Sequence, residues 1–551
     1  MKSKFSANIL SKVVGILFII LLFLVFSFKL FERNTIATSD EIAYITEANY
    51  ILDQHKGHRL LVGLVKGEYP YANRSPLYPF LLSQVTKREF EDFSRVKRLT
   101  FLIDLVVLIL LFFLLDWLTR STIIATVACS LLASSSGFLN AATHISCEPI
   151  LILFFGGAIC CFFYAPQKGN QAYMLGAFLL GLGYLTKSSA MFIAPMLCLT
   201  PLSMIIHSHT NRFAALKLLI SGVTVFIIIV SPLLLRNWIR FDNPVHNSMT
   251  EVIWLDNWEE HHTIEFIEDG TSAHQYFAKH TSFEVLSRWI KGAINSIRHL
   301  GDLLTGTLLT WFFSLFIVAI AFYRTLKFGS WSQQVFLIYS LGTVFVFFSW
   351  YAAIASSSRF FLPLYPIIYC LFAAQLWHWT VEKWPKLSNN LITARRYIPR
   401  VLIVLGTAVF LIGLTAWTSP VSGMDQEPKK RIQFRQEMEH RAANNERLLF
   451  GYDNQLNTSY YNSIPINQIF RIPKTNLLTN LVDFMRRHDY SWLVLTYDSW
   501  SKRPEIQRKI NWDSIKGFDY KKAQIPGLLL ESYDLDIERC DYLFFQLLAI
   551  E

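Results

Sequence analysis

Charge is what this sequence has least of. Only 17% of its 551 residues are Asp, Glu, Lys or Arg, against roughly 25% in an ordinary soluble chain. That shortfall, beside a 52% hydrophobic and 15% aromatic content, excludes a conventional water-soluble fold for most of the length. Cysteine spacing is equally uninformative. Seven cysteines, most of them in apolar runs (Cys129, Cys160, Cys161, Cys198, Cys370), form no zinc or disulfide pattern. Cys147 and Cys540 are the one pair that could meet outside a membrane, and a free buried thiol is the simpler reading. No GxGxxG or GKS/T stretch is present, so nucleotide binding through a phosphate loop has no support. Internal repeats and low-complexity segments are also lacking.

Long apolar runs are what is there. Val13 to Phe28, Leu102 to Leu115, Ile150 to Tyr164, Phe226 to Leu235, Trp311 to Phe322 and Val401 to Leu414 are the cleanest. With their flanks they reach the ~20 residues that cross a hydrocarbon core. Read by apolar windows, the chain has about eleven spans. The first run follows "MKSKFSANILSK" without a small-residue cleavage site, as in an uncleaved signal anchor.

Lys2, Lys4, Lys12, Arg120, Lys168, Arg212, Lys217, Arg324, Lys327, Lys383, Lys386, Arg395 and Arg396 fall in short loops that alternate with the loop 137–148, which has no Lys or Arg. Positive loops stay in the cytoplasm. The N-terminus is therefore expected inside and, with an odd span number, the C-terminus outside, in a bacterial inner membrane. The formal net charge of +10 does not indicate nucleic acid, because the tail from Met424 holds 18 Lys+Arg and 18 Asp+Glu. The surplus is mostly the orientation signal of the membrane half.

Three parts follow. Residues 1–417 are expected to form the membrane domain, with outer loops at 31–98 and 236–300. Residues 418–551 are expected to form a soluble extracytoplasmic α/β domain. In the first loop "EIAYITEANYILDQ" has helical apolar spacing, and "SPLYPFLLSQV" starts a second apolar stretch at a proline, as in short amphipathic helices on a bilayer surface. The second loop, "VIWLDNWEEHHTIEFIEDG", suits a solvated cap. In the tail, "EPKKRIQFRQEMEHRAANNER" and "KTNLLTNLVDFMRRHD" read as helices, and "RLLFGYD" and "SWLVLTYD" as strands.

Polar residues near a membrane mark function more often than structure. On this topology six clusters collect on the outer side: Asp40-Glu41; Arg74; His144 with Glu148; Lys187; Arg359; and Arg236-Asn237. Each has a plainer explanation. Lys187 could snorkel, and Arg236 could anchor a helix end. Glu148 could be a first-turn acid, and Asp40 a helix N-cap. Their placement on one side is what favours a shared cavity.

The motifs "DEIAY", "RSPLYPFLL", "CEPILILF", "GLGYLTKSSAMFIAP", "SPLLLRNWIRFDNPVHNS" and "SRFFLPLYPII" occur in an order that resembles the GT-C membrane glycosyltransferases. The resemblance is to the family-39-like group of protein O-mannosyltransferases and lipid A aminoarabinose transferases, and it covers residues 10 to 380. It implies an α-helical polytopic GT-C fold. It implies transfer of a sugar from a polyprenyl-phosphate-linked donor to a protein, glycolipid or polysaccharide acceptor outside the cytoplasm, in contact with membrane lipid and without nucleic acid.

By that resemblance Asp40 is the catalytic base, with Glu41 supporting it. Arg74 and Arg359 hold the donor phosphate, with Lys187 and Arg236 as weaker carry-overs, and Glu148, His144 and Glu68 stand in support. Some relatives have a metal-binding glutamate just before the position of Arg74. Here Asn73 stands there and Glu68 lies farther back, a departure that puts a metal site in doubt: no cofactor is required on this reading, with a divalent metal as the alternative. A single base suits a one-step displacement that inverts the anomeric carbon. A transporter would place its charges at mid-span in repeated halves, and a non-catalytic scaffold would give the outer acids and arginines no task.

Overall fold

In lipid the backbone must satisfy its own hydrogen bonds, so each apolar run closes into a helix. The computed structural model describes residues 2–33, 39–54, 58–72, 74–87, 92–208, 212–247, 249–263, 266, 269–301, 308–355, 357–379, 448–450, 469–471, 478–496, 528–533 and 542–547. The run Val401 to Leu414, the expected tail helix at 427–447, Asn73 and Cys540 lie outside these residues. The chain divides into two compact units. One comprises Met1–Ile36, Glu47–Ile253 and His280–Ser422, and the other Ala37–Thr46, Trp254–Lys279 and Gly423–Glu551.

In the first unit, seven helices among the described residues are long and apolar enough to cross a membrane: Ile9–Glu32, Asp92–Thr119, Glu148–Lys168, Ser188–Ile206, Arg212–Phe241, Trp331–Ala352 and Arg359–Trp377. The pair Thr122–Ser134 and Ser136–Ala142, bent by 67°, makes an eighth if counted as one span. The run Trp311 to Phe322 lies within the helix Leu308–Phe328. Faces turned outward stay apolar: Leu17 and Leu21 are 60% exposed and Phe28 61%. Water would oppose such a surface, whereas lipid solvates it.

Small residues set the closest helix contacts. The helix Asn170–Thr186 packs on Arg212–Phe241, where a Cβ at Gly222 would stand 2.4 Å from Tyr173 and one at Gly181 would stand 2.9 Å from Ile229. Such approaches maximise dispersion contact, which has to replace the hydrophobic drive that lipid does not supply.

Two irregularities shape one end of the bundle. The span that starts at Glu148 is α-helical over Glu148–Leu151, widens to a π turn over Ile152–Gly156 and resumes as Gly157–Lys168. A 3-10 segment, Ser358–Leu364, lies against that turn so closely that a Cβ on Gly156 would be 2.6 Å from the Pro363 carbonyl. Any larger residue at Gly156 would push the segment away.

The first loop is helical, as its periodicity indicates, over Ser39–Gln54, His58–Val65 and Leu77–Leu82. The second loop begins later than expected. Arg212–Phe241 remains helical through Arg236 and Asn237, and the amphipathic helix Ser282–Gly301 occupies the far part of the loop.

In the second unit, β1 (Leu448–Phe450), β2 (Ile469–Arg471), β3 (Trp492–Thr496), β4 (Leu528–Tyr533) and β5 (Tyr542–Leu547) form a sheet of order β2-β1-β3-β5-β4. β1 pairs in parallel with β2 and β3, and β5 runs antiparallel to β3 and β4. The helix Leu478–Arg487 buries Leu481, Val482, Phe484 and Met485, spaced for one apolar face. In the same unit Trp254 packs on Tyr276 and Phe277, and Lys279 pairs with Asp256 at 3.2 Å.

Candidate active site

Two polar clusters form in the first unit. The first is built on the π turn. Glu148 opens its span behind Ser146 and Cys147, and Pro149 suits the first helical turn because the N–H it lacks would have no helical partner there. The helix Asn170–Thr186 ends at Lys187, whose extended backbone (φ −156°, ψ 128°) turns the chain into the 3-10 segment Ser188–Ile193. There Lys187 Nζ donates to Glu148 Oε1 at 2.8 Å. Ser146 Oγ donates to Glu148 Oε2, and Cys147 Sγ approaches the same oxygen at 3.8 Å. Glu148 is buried, whereas Lys187 is half-buried and Arg359 exposed.

Phe360 joins the cations. Lys187 Nζ lies 6.0 Å and the Arg359 guanidinium 5.8 Å from its ring centroid, within the reach of cation–π attraction. The fields of both Lys187 and Arg359 act on Glu148. One carboxylate thus faces two cations at the end of a span.

The second cluster surrounds Glu47, which the sequence reading passed over. Tyr69 donates to Glu47 Oε2 at 3.3 Å, and Arg74 Nη1 stands 3.6 Å from Oε1. Burial raises the Glu47 carboxyl from 4.5 to about 7, against the pull of Arg74, the Tyr69 hydroxyl and Arg236. Burial likewise raises the Tyr69 and Tyr71 hydroxyls. Tyr50, Tyr69 and Tyr71 meet edge to face with centroids 5.5 to 6.2 Å apart.

Arg236 is 1% exposed, with its guanidinium 5.5 Å from both the Tyr69 and Phe241 rings. Among the described residues its Nε and Nη1 have no hydrogen-bond partner. Beside it, Asn237 Nδ2 donates to the Pro244 and His246 carbonyls at 3.0 and 3.3 Å, fixing the chain's exit from the helix. Asn247 Nδ2 then donates to Ser188 Oγ, next to Lys187, at 2.5 Å. That bond joins the loop after Arg236 to the segment after Lys187.

Of the residues expected from sequence, Glu148, Lys187 and Arg359 come together around the π turn, and Arg74 and Arg236 come together around Glu47. Asp40 and Glu41 occupy the first turn of Ser39–Gln54 in the second unit, with Glu41 buried and Asp40 half-buried. His144 is half-buried, and its Nδ1 bonds the Asn140 carbonyl at 2.8 Å, a local tie within its own turn. Glu68 is exposed and its backbone carbonyl accepts from Tyr50 at 3.3 Å. Among the described residues no three His, Cys, Asp or Glu side chains stand where they could share a metal ion.

Residues 73–235 match the family model described as dolichyl-phosphate-mannose-protein mannosyltransferase. No curated protein matches the chain by sequence. Among solved structures, the apo oligosaccharyltransferase of Archaeoglobus fulgidus superposes with a TM-score of 0.55 at 11% identity, over 89% of this chain and 69% of that one. ArnT from Cupriavidus metallidurans, bound to undecaprenyl phosphate, superposes at 0.51 and 11% identity over 96% of this chain and 97% of that one. Its apo state gives the same values. The chain has the fold of the GT-C membrane glycosyltransferases and carries, across residues 73–235, the sequence pattern of their mannosyltransferase branch.

Proposed function

We propose that the chain transfers a sugar from a polyprenyl-phosphate-linked donor to an acceptor on the extracytoplasmic side of the membrane, inverting the anomeric carbon. The observation that carries this reading is the gathering of Lys187 and Arg359 around one buried carboxylate, Glu148, at a single end of a GT-C bundle. The ArnT structure, which holds undecaprenyl phosphate, supports a carrier of that chemical class.

In the proposed reaction Asp40 takes the proton of an acceptor hydroxyl. The acceptor oxygen forms its bond to the anomeric carbon as the bond from that carbon to the phosphate oxygen breaks. The electron pair leaves with the carrier, which departs as a polyprenyl phosphate carrying one more negative charge. Arg359, Lys187, Arg74 and Arg236 stabilise that charge, and they do so more strongly in a partly dehydrated site than in water. Glu148 keeps Lys187 in place, and Glu41 orients Asp40. The N-terminus is cytoplasmic, and residues 418–551 form an outward α/β domain that helps select the acceptor.

The test uses proteoliposomes loaded with a lipid-linked sugar. Consumption of the donor without solute flux is expected, and Asp40→Asn should slow it about 100- to 10,000-fold. Undiminished transfer by that variant, or solute flux without donor consumption, would overturn the reading.

A further inference from the structure

The π turn Ile152–Gly156 interrupts its span directly after the first helical turn, the one that carries Glu148. There the Gly157 N–H reaches back to the Ile152 carbonyl, a wider loop than an α-helix closes. A π turn holds one residue more than an α turn, so what precedes it is rotated by about 100° around the axis. That rotation decides which way Glu148 faces, and Lys187 Nζ meets it at 2.8 Å. The turn also brings Gly156 against the segment Ser358–Leu364. A Cβ there would stand 2.6 Å from the Pro363 carbonyl and 2.9 Å from Pro366 Cγ. It would strike backbone first, not the movable end of a side chain.

The same segment is held by aromatic stacking. Phe360 lies on Phe348 of the helix Trp331–Ala352, with ring centroids 5.2 Å apart and planes 9° apart, and Phe361 meets that ring at 6.0 Å. Phe360 is also the ring beside Lys187 and Arg359. A displacement at Pro363 is therefore passed to the residues that carry the charge.

Close glycine contacts join helices elsewhere in the bundle, as at Gly222, and packing alone explains a glycine at 156. Packing does not explain the wide turn. A regular α-helix with the same glycine would pack as closely with better hydrogen bonds, and π turns persist mostly at functional sites.

We propose that the π turn is a positioning element of the Glu148 cluster: it aims Glu148 at Lys187 and, through the backbone contact at Gly156, sets where Arg359 stands. Gly156 touches no substrate and acts through Arg359. The inference rests on the reading of Arg359 as a ligand of the carrier phosphate.

Purified full-length protein in detergent is titrated with undecaprenyl phosphate, and bound lipid is read by native mass spectrometry. The series is the wild type, Gly156→Ala, Arg359→Ala and the double variant. Each single variant should weaken binding about tenfold. The double variant should bind within about twofold of either single one, because displacing the arginine and removing it lose the same contact. A glycine that served packing alone would give no effect, or independent effects that multiply to about 100-fold. If Gly156→Ala does not fold, Pro363→Ala takes its place in the cycle, since it frees the segment's backbone at the same contact and adds no atom to the turn. Multiplied effects, or unchanged binding in the Gly156 or Pro363 variant, would overturn the inference and leave the donor reading standing. Unchanged binding in Arg359→Ala would overturn the donor role of Arg359, and the inference with it.

Discussion

Glu148 and Glu47 are both buried carboxylates facing cations, 4% and 1% exposed, yet their surroundings differ in kind. Glu148 meets Lys187 at hydrogen-bond distance and has Ser146 on its second oxygen. Glu47 has its arginine at 3.6 Å, beyond hydrogen-bond reach, and among the described residues its Oε1 has no hydrogen-bond partner. An ion pair in contact recovers much of the desolvation cost of its charges, whereas a separated pair leaves that cost largely uncompensated. The first arrangement fixes a lysine. The second holds a carboxyl near its ionisation point beside two guanidinium groups, Arg74 and Arg236, that are not closed around it. A site that must fix some cations and leave others responsive to a ligand would use both.

The sharpest way to break this contrast is to remove one charge from the closed pair. Glu148→Gln leaves the Lys187 ammonium without its carboxylate in a half-buried position, and the loss should be about 4 kcal/mol. The double variant Glu148→Gln with Lys187→Met should recover most of it, because the ammonium is then removed together with its carboxylate. Denaturation midpoints in detergent supply the comparison. If single and double variants unfold alike, the pair is not what secures this end of the bundle.

For Glu47 the contrast gives a pH dependence. The folded carboxyl keeps its proton up to about pH 7, whereas an unfolded one releases it near 4.5. Between those values the folded state binds the additional proton, so stability must fall as pH rises. The contribution is complete below pH 4.5 and lost above about 7, in all about 3 kcal/mol. Glu47→Gln should flatten that slope across the same window. A wild-type midpoint that rises from pH 4.5 to 7, or a slope that survives the substitution, would show that Glu47 ionises as freely when folded as when unfolded.

Sequence patterns reached the charged residues of the first cluster but only the arginines of the second, missing Glu47, for physical reasons. Glu148, Lys187 and Arg359 interrupt or flank apolar runs, where any charge stands out. Considered singly they suggested a dipole-favoured acid and a snorkelling lysine, and only the fold shows the two neutralising each other at 2.8 Å. Glu47 sits in an amphipathic helix where an acid reads as a solvated face. Its one signal is a place seven residues after Asp40, the spacing of side chains on one helix face.

The helices of the first loop and the strands β1 and β3 were legible from period and length. β2 is three residues long, too short for alternation to register. β4 and β5 begin in continuous apolar runs, which period alone cannot assign. The left-handed turn at Arg120 has no glycine to announce it, and a cavity beside it is lined by residues from four separate stretches of chain.

Arg359 gives the smallest structural effect and the cleanest functional one. Its side chain is exposed, and its ring contact is with Phe360, the adjacent residue in the same 3-10 segment. Little packing depends on it, so Arg359→Ala should move stability by no more than about 0.5 kcal/mol. The guanidinium nevertheless acts on Glu148 alongside the tight Lys187 contact. A lipid phosphate arriving there would lose a charge-assisted contact, weakening donor use about tenfold or more. Donor titration with the variant, run beside a melting curve, separates the two effects. A parallel loss of stability would make Arg359 a structural residue of the Ser358–Leu364 segment. A raised donor KM at an unchanged melting point would place it on the ligand, beside the contact pair in which Glu148 holds Lys187.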